Sequence, residues 1–313
     1  MSAFKGLWKT LSPLSVARSH PATVAFKDKI YVFGGGGPNF LSLNDCVSYD
    51  PKLNKWDKLK NMPTKRSGTA GFLINDKIYI VGGGYKKPDG NFQFLKTVEI
   101  YDPNTDSWTQ GPDMLQPHDY PAAALHENHI YIFGGHHPDA CLGGPKTDPG
   151  FNFSERWSPG EEKWEEIPAL PTPRFAASAV IQGNNILTNG GVAFRPEGFN
   201  NFDFFECYDT EKKTWSESET LKLPWPAAGH GMCQESDNFF FFGGYSTDNI
   251  HDRSAVYSTT TSEWDRLPDM PSPRAAMGVA RIDNTIYLIG GWEDDGRMPL
   301  DSVVSYTWTH ASD

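Results

Sequence analysis

Long apolar runs and paired cysteines are missing from this chain of 313 residues. No segment reaches the run of about eighteen apolar residues that a membrane-spanning helix needs, and the first residues, MSAFKGLWKTL, lack the apolar core of a signal peptide. The four cysteines, at Cys46, Cys141, Cys207 and Cys233, have no CxxC spacing, so they indicate neither a zinc site nor a disulfide framework. These absences predict a soluble cytoplasmic protein with reduced cysteines and no membrane partner.

A concentration of positive charge is also absent. Lys and Arg number 28 against 39 Asp and Glu, which gives a formal net charge of −11. The segment YKKPDG is only a local basic spot, and no stripe of Lys and Arg is present to neutralise phosphates. We therefore expect no nucleic-acid partner.

Motifs of several enzyme and cofactor classes are missing as well. The sequence has no GxSxG nucleophile elbow and no HExxH helix. The glycine run at 34–37 follows a strand pattern but opens no helix, so it does not predict nucleotide binding. We therefore expect no bound cofactor.

What the chain does contain is a repeat. Gly-Gly doublets recur at steps of 48, 52, 56, 53 and 47 residues, and five of them end a short apolar run such as IYVF or IYLI. A tryptophan follows each of the first five doublets by about twenty to thirty residues. A period near fifty residues is typical of β-propeller blades and exceeds that of most helical repeats. The doublets are Gly34-Gly35, Gly82-Gly83, Gly134-Gly135, Gly190-Gly191, Gly243-Gly244 and Gly290-Gly291, and the tryptophans are Trp56, Trp108, Trp164, Trp215 and Trp264.

Each repeat is interpreted as four short strands. In the second repeat, SGTAGFLI predicts an inner strand, IYIVGG a buried second strand, TVEIYD a third, and SWTQGPDM an outer strand whose Trp fills the space between blades. The last repeat lacks a Trp strand of its own, and Trp8 in GLWKTLSPL supplies one. We therefore predict an all-β fold, a six-bladed β-propeller of four-stranded antiparallel blades, closed by the N-terminal strand around Trp8. One domain would cover 1–313, with blades at about 18–65, 66–117, 118–173, 174–226, 227–273, and 274–313 plus 1–17.

The repeat unit resembles that of the Kelch family over essentially the full length of the chain. The shared pattern is a doublet after an apolar strand, a Tyr-Asp, a Trp about six residues later, then Met-Pro or Leu-Pro and Arg. This resemblance implies a free-standing recognition module. Substrate adaptors of the family carry a BTB or similar domain, and no such domain is visible here, so a ubiquitin-ligase adaptor is less favoured.

One register of the repeat is expected to be structural. Sixteen residues before the doublets stand Arg18, Arg66, His118, Arg174, Ala227 and Arg274. We call this position the Arg register. Four arginines at one position are typical of an anchor between blades, and His118 and Ala227 mark two nonstandard neighbourhoods.

The resemblance also implies where a ligand binds. In Kelch domains the ligand face is formed by the one or two residues after the Arg register and by the loop after each doublet. The first group comprises Ser19, His20, Ser67, Gly68, Asp119, Tyr120, Phe175, Ala176, Ala228, Gly229, Ala275 and Ala276, and the loops contribute Tyr85, His136, His137, Arg195, Glu197, Tyr245, Trp292 and Glu293. Aromatic walls with few polar groups suit a peptide loop or a compact organic ligand, although each of these residues taken alone is also compatible with a solvated turn.

Two functions of different classes follow from this inventory. The first is a recognition module that binds a protein segment or a small ligand at the loop-rich face. The alternative is a small-molecule isomerase, cyclase or lyase with its active site at the central mouth of the propeller. Its candidates for acid-base or anion-holding roles are His118, Asp119, His136, Arg195 and Glu197.

A metal site is not expected. The third blade places several histidines and carboxylates in one neighbourhood, but a transition metal needs three or four converging ligands, and a His-His pair is a weak motif. The iron-binding pattern of nitrile-specifier proteins and the copper ligands of galactose-oxidase-like enzymes are both absent. Arg195 and Glu197 resemble only loosely the Arg and Glu of a Kelch sialic-acid mutarotase family.

Overall fold

Six antiparallel sheets of four strands each form the computed structural model, which describes residues 4–141, 147–247, 249–294 and 298–310. The strands of each blade are given from the axis outwards. Blade one consists of β2 (Ala22–Phe26), β3 (Lys29–Gly36), β4 (Ser42–Asp50) and β5 (Lys55–Leu59). Blade two consists of β6 (Ala70–Ile74), β7 (Lys77–Val81), β10 (Val98–Asp102) and β11 (Ser107–Gln110), and blade three of β12 (Ala122–His126), β13 (His129–Gly135), β14 (Phe151–Trp157) and β15 (Glu165–Ile167).

The other three blades have the same order. Blade four is β16 (Ser178–Gln182), β17 (Asn185–Asn189), β20 (Phe204–Asp209) and β21 (Thr214–Lys222); blade five is β22 (Gly231–Glu235), β23 (Asn238–Phe242), β24 (Ser254–Ser258) and β25 (Glu263–Leu267); blade six is β26 (Gly278–Ile282), β27 (Thr285–Ile289), β28 (Val303–His310) and β1 (Phe4–Thr10). The loops add two hairpins, β8 (Gly84–Lys86) with β9 (Phe92–Phe94) and β18 (Val192–Arg195) with β19 (Gly198–Asn201), and 3-10 turns at Pro38–Phe40 and Pro138–Cys141. In the described part of the chain, no helix has the length and apolar character to cross a membrane.

The N-terminal strand closes the ring. β1 pairs antiparallel with β28 and places Trp8 opposite Tyr306. The outermost strand of the sixth blade therefore comes from the start of the chain, and its partner strand comes from the end. This arrangement confirms the predicted six-bladed, all-β propeller and its closure around Trp8.

Each outer-strand tryptophan joins its blade to the preceding blade. In all six blades its indole N–H donates to a backbone carbonyl of the preceding blade at 2.8–3.0 Å. In five cases this carbonyl lies just after the outer strand of that blade; in the sixth it belongs to Lys222, the last residue of the strand. The apolar core lies in the same interblade layers; for example, Phe33 and Met62 of blade one pack with Ile80 of blade two. The six donor and acceptor pairs are Trp8 to Pro268, Trp56 to Ser12, Trp108 to Lys60, Trp164 to Pro112, Trp215 to Pro168 and Trp264 to Lys222.

The four arginines of the Arg register are anchors inside the blades. All four are buried, and each donates from Nη1 to the carbonyl of the first glycine in its own doublet at 2.9–3.1 Å. Three of them also form an ion pair with a carboxylate, namely Arg18 with Asp45, Arg66 with Glu99 and Arg174 with Glu206. The register therefore ties the start of each inner strand to the end of the second strand.

Blades three and five make this contact with other side chains. His118 is fully buried, with Nδ1 at 2.6 Å from the first doublet carbonyl and Nε2 at 3.1 Å from Glu155. In blade five the register position is Ala227, and the indole N–H of Trp225 donates to the doublet carbonyl at 3.1 Å instead. His118 thus lies inside its blade, which corrects the expectation that it joins the acid-base candidates at the mouth.

A closed ring of six backbone hydrogen bonds surrounds the axis. The residue two positions after the Arg register donates its N–H to the carbonyl of the equivalent residue in the preceding blade, at 2.6–3.2 Å. All six residues have φ between 51° and 64°, a left-handed conformation that aligns both backbone polar groups along the ring. We call this ring the collar; its members are His20, Gly68, Tyr120, Ala176, Gly229 and Ala276.

Candidate functional site

The loops after the glycine doublets gather above the collar. In five blades the residue after the Arg register forms a β-bridge with the residue after the doublet, and in blade three the His136 N–H donates to the Asp119 carbonyl at 2.7 Å. The two sets of positions that the family resemblance implies are therefore adjacent in every blade. The five bridges are Ser19 with Gly36, Ser67 with Gly84, Phe175 with Val192, Ala228 with Tyr245, and Ala275 with Trp292.

Loops from all six blades enclose one cavity of about 470 Å³, which we call the mouth. Its volume lies within the range of small-molecule and side-chain binding sites. Most of the wall is aromatic, and the polar part is concentrated in blade three. The mouth is lined by His20, Phe40, Gly90, Phe92, Phe94, Asp119, Tyr120, His136, Ala140, Asp148, Phe175, Ala176, Phe194, Phe199, Tyr245 and Trp292.

His136 is held in a fixed orientation within this wall. Its ring stacks on Phe175, with centroids 4.0 Å apart, and on Phe94 at 5.8 Å, and it meets the edge of Tyr120 at 5.2 Å. Its Nδ1 is hydrogen-bonded to Asp148. Rings on both faces and a carboxylate at one nitrogen leave the Nε2 side directed towards Asp119, 4.0 Å away.

Asp148 is a fully engaged carboxylate. Besides the bond with His136, it accepts hydrogen bonds from the backbone N–H groups of His137 and Gly150 at 3.1 and 3.0 Å. Burial alone would raise its pKa, but these hydrogen bonds and the charge of His136 lower the pKa of Asp148 below its usual value. Asp148 therefore remains ionised and orients His136.

Asp119 is buried in the mouth without such partners. Only 4% of its side chain is exposed, and its Oδ1 has no hydrogen-bond partner in the described part of the chain. Its Oδ2 lies 4.0 Å from His136 Nε2, beyond hydrogen-bond reach. Burial raises the pKa of Asp119 to about 7; His136 opposes this shift and Asp148 adds to it. This carboxyl group is thus available to an incoming hydrogen-bond donor.

Further aromatic rings continue the wall of the mouth. Tyr245 and Trp292 lie with ring centroids 5.2 Å apart, and His20 contacts Tyr120 edge-on at 4.2 Å. Burial and the nearby His136 lower the pKa of His20 to about 3, so His20 is a neutral ring here at physiological pH. The wall therefore offers flat π surfaces and little charge.

A second cavity of about 490 Å³ adjoins the mouth, and we call it the groove. The groove and the mouth share Phe199, Tyr245 and Trp292, so these rings form a common wall. Its remaining surface is largely polar and comes from blades four to six. These other lining residues are Asn201, Ser246, Thr247, Asn249, Ile250 and Asp294.

A third cavity lies below the collar, in the central channel. It measures about 270 Å³ and is lined by the small residues of the inner strands, such as Ala179. His20, Tyr120 and Ala176 line both this channel and the mouth, so the collar lies between the two. Within the described residues, no group of three His, Cys, Asp or Glu side chains is arranged to hold a metal ion.

The structure gathers about half of the residues that the sequence proposed for the site. His20, Asp119, Tyr120, His136, Phe175, Tyr245 and Trp292 line the mouth. Ser19 and Ser67 are buried beside it, and the Ser19 hydroxyl lies 3.1 Å from His20 Nδ1. The other proposed residues lie on surrounding loops or inside a blade, outside the mouth wall: Tyr85, His118, His137, Arg195, Glu197 and Glu293.

Several residues of the mouth were not proposed from the sequence. Asp148 and the phenylalanines Phe40, Phe92, Phe94, Phe194 and Phe199 lie on the loops after the doublets of blades one to four, which differ in length and sequence from blade to blade. The one signal for Asp148 is the 56-residue step between the third and fourth doublets, the longest of the five, which indicates an extended loop in blade three.

Comparison with known proteins assigns the family. The sequence pattern of the Attractin/LZTR1 beta-propeller matches residues 5–252. Kelch-like protein 23 of Homo sapiens is 25% identical over 303 residues, which cover 96% of this chain and 49% of that protein. Beta-scruin of Limulus polyphemus is 24% identical over 313 residues, which cover 97% of this chain and 28% of that protein.

Other relatives match less of the chain. Kelch-like protein 41b of Danio rerio is 26% identical over 191 residues, which cover 61% of this chain and 30% of that protein. The chain thus spans less than half the length of these three curated relatives. The solved structure of YjhT superposes with a TM-score of 0.78 at 18% identity, covering 94% of this chain and 96% of the other, and this likeness concerns the fold.

Proposed function

Because the chain belongs to the Attractin/LZTR1 β-propeller family and is a Kelch-repeat propeller, we propose that it is a recognition module that binds a protein segment at the mouth. Kelch-like relatives support protein partners in general, and the position of the site is our own inference from the geometry. The activities and partners of the full-length relatives are not transferred, since the chain matches only part of each.

The observation that carries this proposal is the continuity between the mouth and the groove. The mouth and the groove meet at the shared rings of Phe199, Tyr245 and Trp292, so a ligand that occupies both is larger than a compact metabolite. That combination suits an extended peptide with one anchor side chain in the mouth and its backbone along the groove. Asn249 places a side-chain amide at the groove for a backbone hydrogen bond, whereas the Asn201 amide donates to the Tyr245 carbonyl at 3.0 Å.

The alternative of an isomerase, cyclase or lyase receives no support from the comparisons. Two of its proposed acid-base residues, Arg195 and Glu197, are absent from the mouth wall, and His118 is an anchor within a blade. A small organic ligand in the mouth stays a secondary prediction, and so does the cytoplasmic location.

A peptide-display selection tests the recognition function with an unbiased set of ligands. Random twelve-residue peptides would be selected on the purified chain, and the enriched peptides titrated by calorimetry. We expect Trp292→Ala and Phe199→Ala each to weaken binding by about tenfold or more, because both remove part of the shared wall. Leu53→Ala is the matched control, since Leu53 is 70% exposed and lies in the turn between β4 and β5 of blade one, outside both cavities.

Two results would overturn the proposal. One is a selection that enriches no sequence above a bare support. The other is a set of enriched peptides whose affinity is the same for wild type, Trp292→Ala and Phe199→Ala, because such peptides would bind elsewhere.

A further inference from the structure

Among the described residues that line the mouth, the charged side chains are acidic. Two carboxylates, Asp119 and Asp148, line the mouth, and among its described lining residues there is neither Lys nor Arg. His136 lies between the two carboxylates, with Nδ1 hydrogen-bonded to Asp148 and Nε2 4.0 Å from Asp119 Oδ2. Whether His136 is neutral or protonated, the three groups together carry net negative charge when both carboxylates are ionised.

The geometry around Asp119 leaves a buried acceptor open to a donor from a ligand. Asp148 is fully engaged by His136, His137 and Gly150, whereas Asp119 Oδ1 is buried and has no partner among the described residues. A buried carboxylate without a hydrogen bond is strongly unfavourable in general, so its environment favours a bound N–H group. The 4.0 Å between Asp119 Oδ2 and His136 Nε2 is wide enough that one donor reaches both atoms.

The walls favour a flat cation over a compact one. Tyr120, Phe175, Tyr245 and Trp292 all line the same cavity, so a planar group inside it meets several π surfaces. Arginine stacks on aromatic faces and donates through a rigid planar fork that matches a carboxylate, whereas the lysine ammonium is a strongly hydrated point charge. An apolar enclosure also removes the water that an ammonium group would keep.

We propose that the mouth receives an arginine side chain of the bound segment, with its guanidinium stacked between the aromatic walls and donating to Asp119. This inference rests on the proposed recognition function and specifies its anchor residue. The overall charge of −11 agrees with a basic partner, since attraction of opposite charges speeds encounter.

Peptides that differ in one residue test this inference on the full chain. The probes are acetyl-Gly-Gly-Xaa-Gly-Gly-amide with arginine, its uncharged isostere citrulline, or lysine at Xaa. We expect the arginine peptide to bind about tenfold or more tightly than the citrulline peptide. Asp119→Asn, an isosteric change, should abolish that difference. Asp139→Asn is the matched control, because Asp139 lies on the same blade with a side chain that is 81% exposed, and it should preserve the difference.

Any of the following results of the peptide titrations would overturn the inference. Absence of binding by the arginine peptide, equal binding of arginine and citrulline, or a preference that survives in Asp119→Asn would each do so. Lysine binding as tightly as arginine would overturn the assignment of a guanidinium. The comparison of probes on wild-type protein does not depend on how well any variant folds. Displayed peptides that bind at the mouth without arginine would overturn this inference and leave the recognition function intact.

Discussion

Three different side chains make the contact that the Arg register supplies, and this shows what the doublet carbonyl requires. Arginine and histidine at the register, and in blade five a tryptophan two positions before it, each bring a buried N–H group to the first carbonyl of a glycine doublet, as Arg66, His118 and Trp225 illustrate. A buried carbonyl left unpaired would cost about 1–3 kcal/mol. The doublet carbonyl therefore requires a donor within reach, and positive charge is secondary.

Substitution of His118 tests this interpretation. Glu155 occupies the same strand register as Glu99 and Glu206, each opposite the residue two positions before a doublet. His118→Ala should lower the free energy of unfolding by about 3 kcal/mol, because buried acceptors lose their partner. His118→Arg should restore most of this loss, since arginine pairs with the equivalent carboxylates in blades two and four. Urea unfolding measures both; equal losses would contradict the donor requirement.

The raised pKa of Asp119 predicts a pH dependence of stability. Its pKa is about 7 in the folded protein against 3.8 as the reference value, so the folded state binds the proton more tightly. The free energy of unfolding contributed by this group therefore falls as pH rises from about 4 to 7. His136 and Asp148 are the charged groups that act on it.

Asp119→Asn should remove this dependence. The variant and the wild type should differ little near pH 4, and the variant should be the more stable by up to about 4 kcal/mol at pH 8, at about 1.4 kcal/mol per pKa unit. Urea unfolding at both pH values measures the difference. Asp139→Asn is the control for removal of an exposed carboxylate from the same blade, and a constant difference between Asp119→Asn and wild type would contradict the assignment.

At the scale of single elements, the strand β1 has the largest structural consequence. It supplies the outer strand of blade six, and Trp8 packs against Phe242 and Tyr306 with ring centroids 5.8 and 5.1 Å apart. The Trp8 indole also joins this blade to Pro268 of blade five. One strand therefore completes a sheet and an interblade contact.

Truncation of the Trp8 side chain should therefore lower the stability of the protein, while truncation of the neighbouring Leu7 side chain should have little effect on it. Leu7 is 80% exposed, because adjacent strand residues face opposite sides of the sheet. Trp8→Ala should lower the free energy of unfolding by about 3 kcal/mol or more, and Leu7→Ala by less than about 0.5 kcal/mol. Thermal and urea unfolding measure both variants. Similar losses for the two would show that β1 does not close the ring through Trp8.

Elements that occur in all six blades were predictable from the sequence, and elements that occur in one or two blades were not. The four-strand blade could be derived because each copy confirms the others, and the missing outer strand of the last copy pointed to Trp8. The hairpins β8–β9 and β18–β19 follow the doublets of only two blades, and their side chains contact neighbouring blades, as when Phe94 of blade two stacks on His136 of blade three. The repeat register predicts the positions of Asp119 and His136. The position of Asp148 depends instead on a loop whose path is set by long-range backbone pairing with Phe194.

At the scale of the whole molecule, the collar links all six blades through backbone alone. Every member adopts φ between 51° and 64°, including His20, Tyr120, Ala176 and Ala276, whose side chains disfavour that region. Each nonglycine residue there costs about 1 kcal/mol, so the strain persists because ring closure holds it. His20, Tyr120 and Ala176 of the collar also line the mouth, so the strained backbone fixes part of its wall.

Two glycines of the collar separate backbone strain from steric conflict. A Cβ on Gly68 would lie 2.6 Å from Asp119 Oδ1 and from the Tyr120 ring, while the nearest atom to a Cβ on Gly229 is 3.4 Å away. Both alanine variants acquire the left-handed penalty of about 1 kcal/mol. We expect Gly229→Ala to lose about that much free energy of unfolding and Gly68→Ala about 3 kcal/mol or more, because the collar prevents Tyr120 from moving away. Urea unfolding measures both losses, and equal losses would mean that the collar adjusts freely around its members.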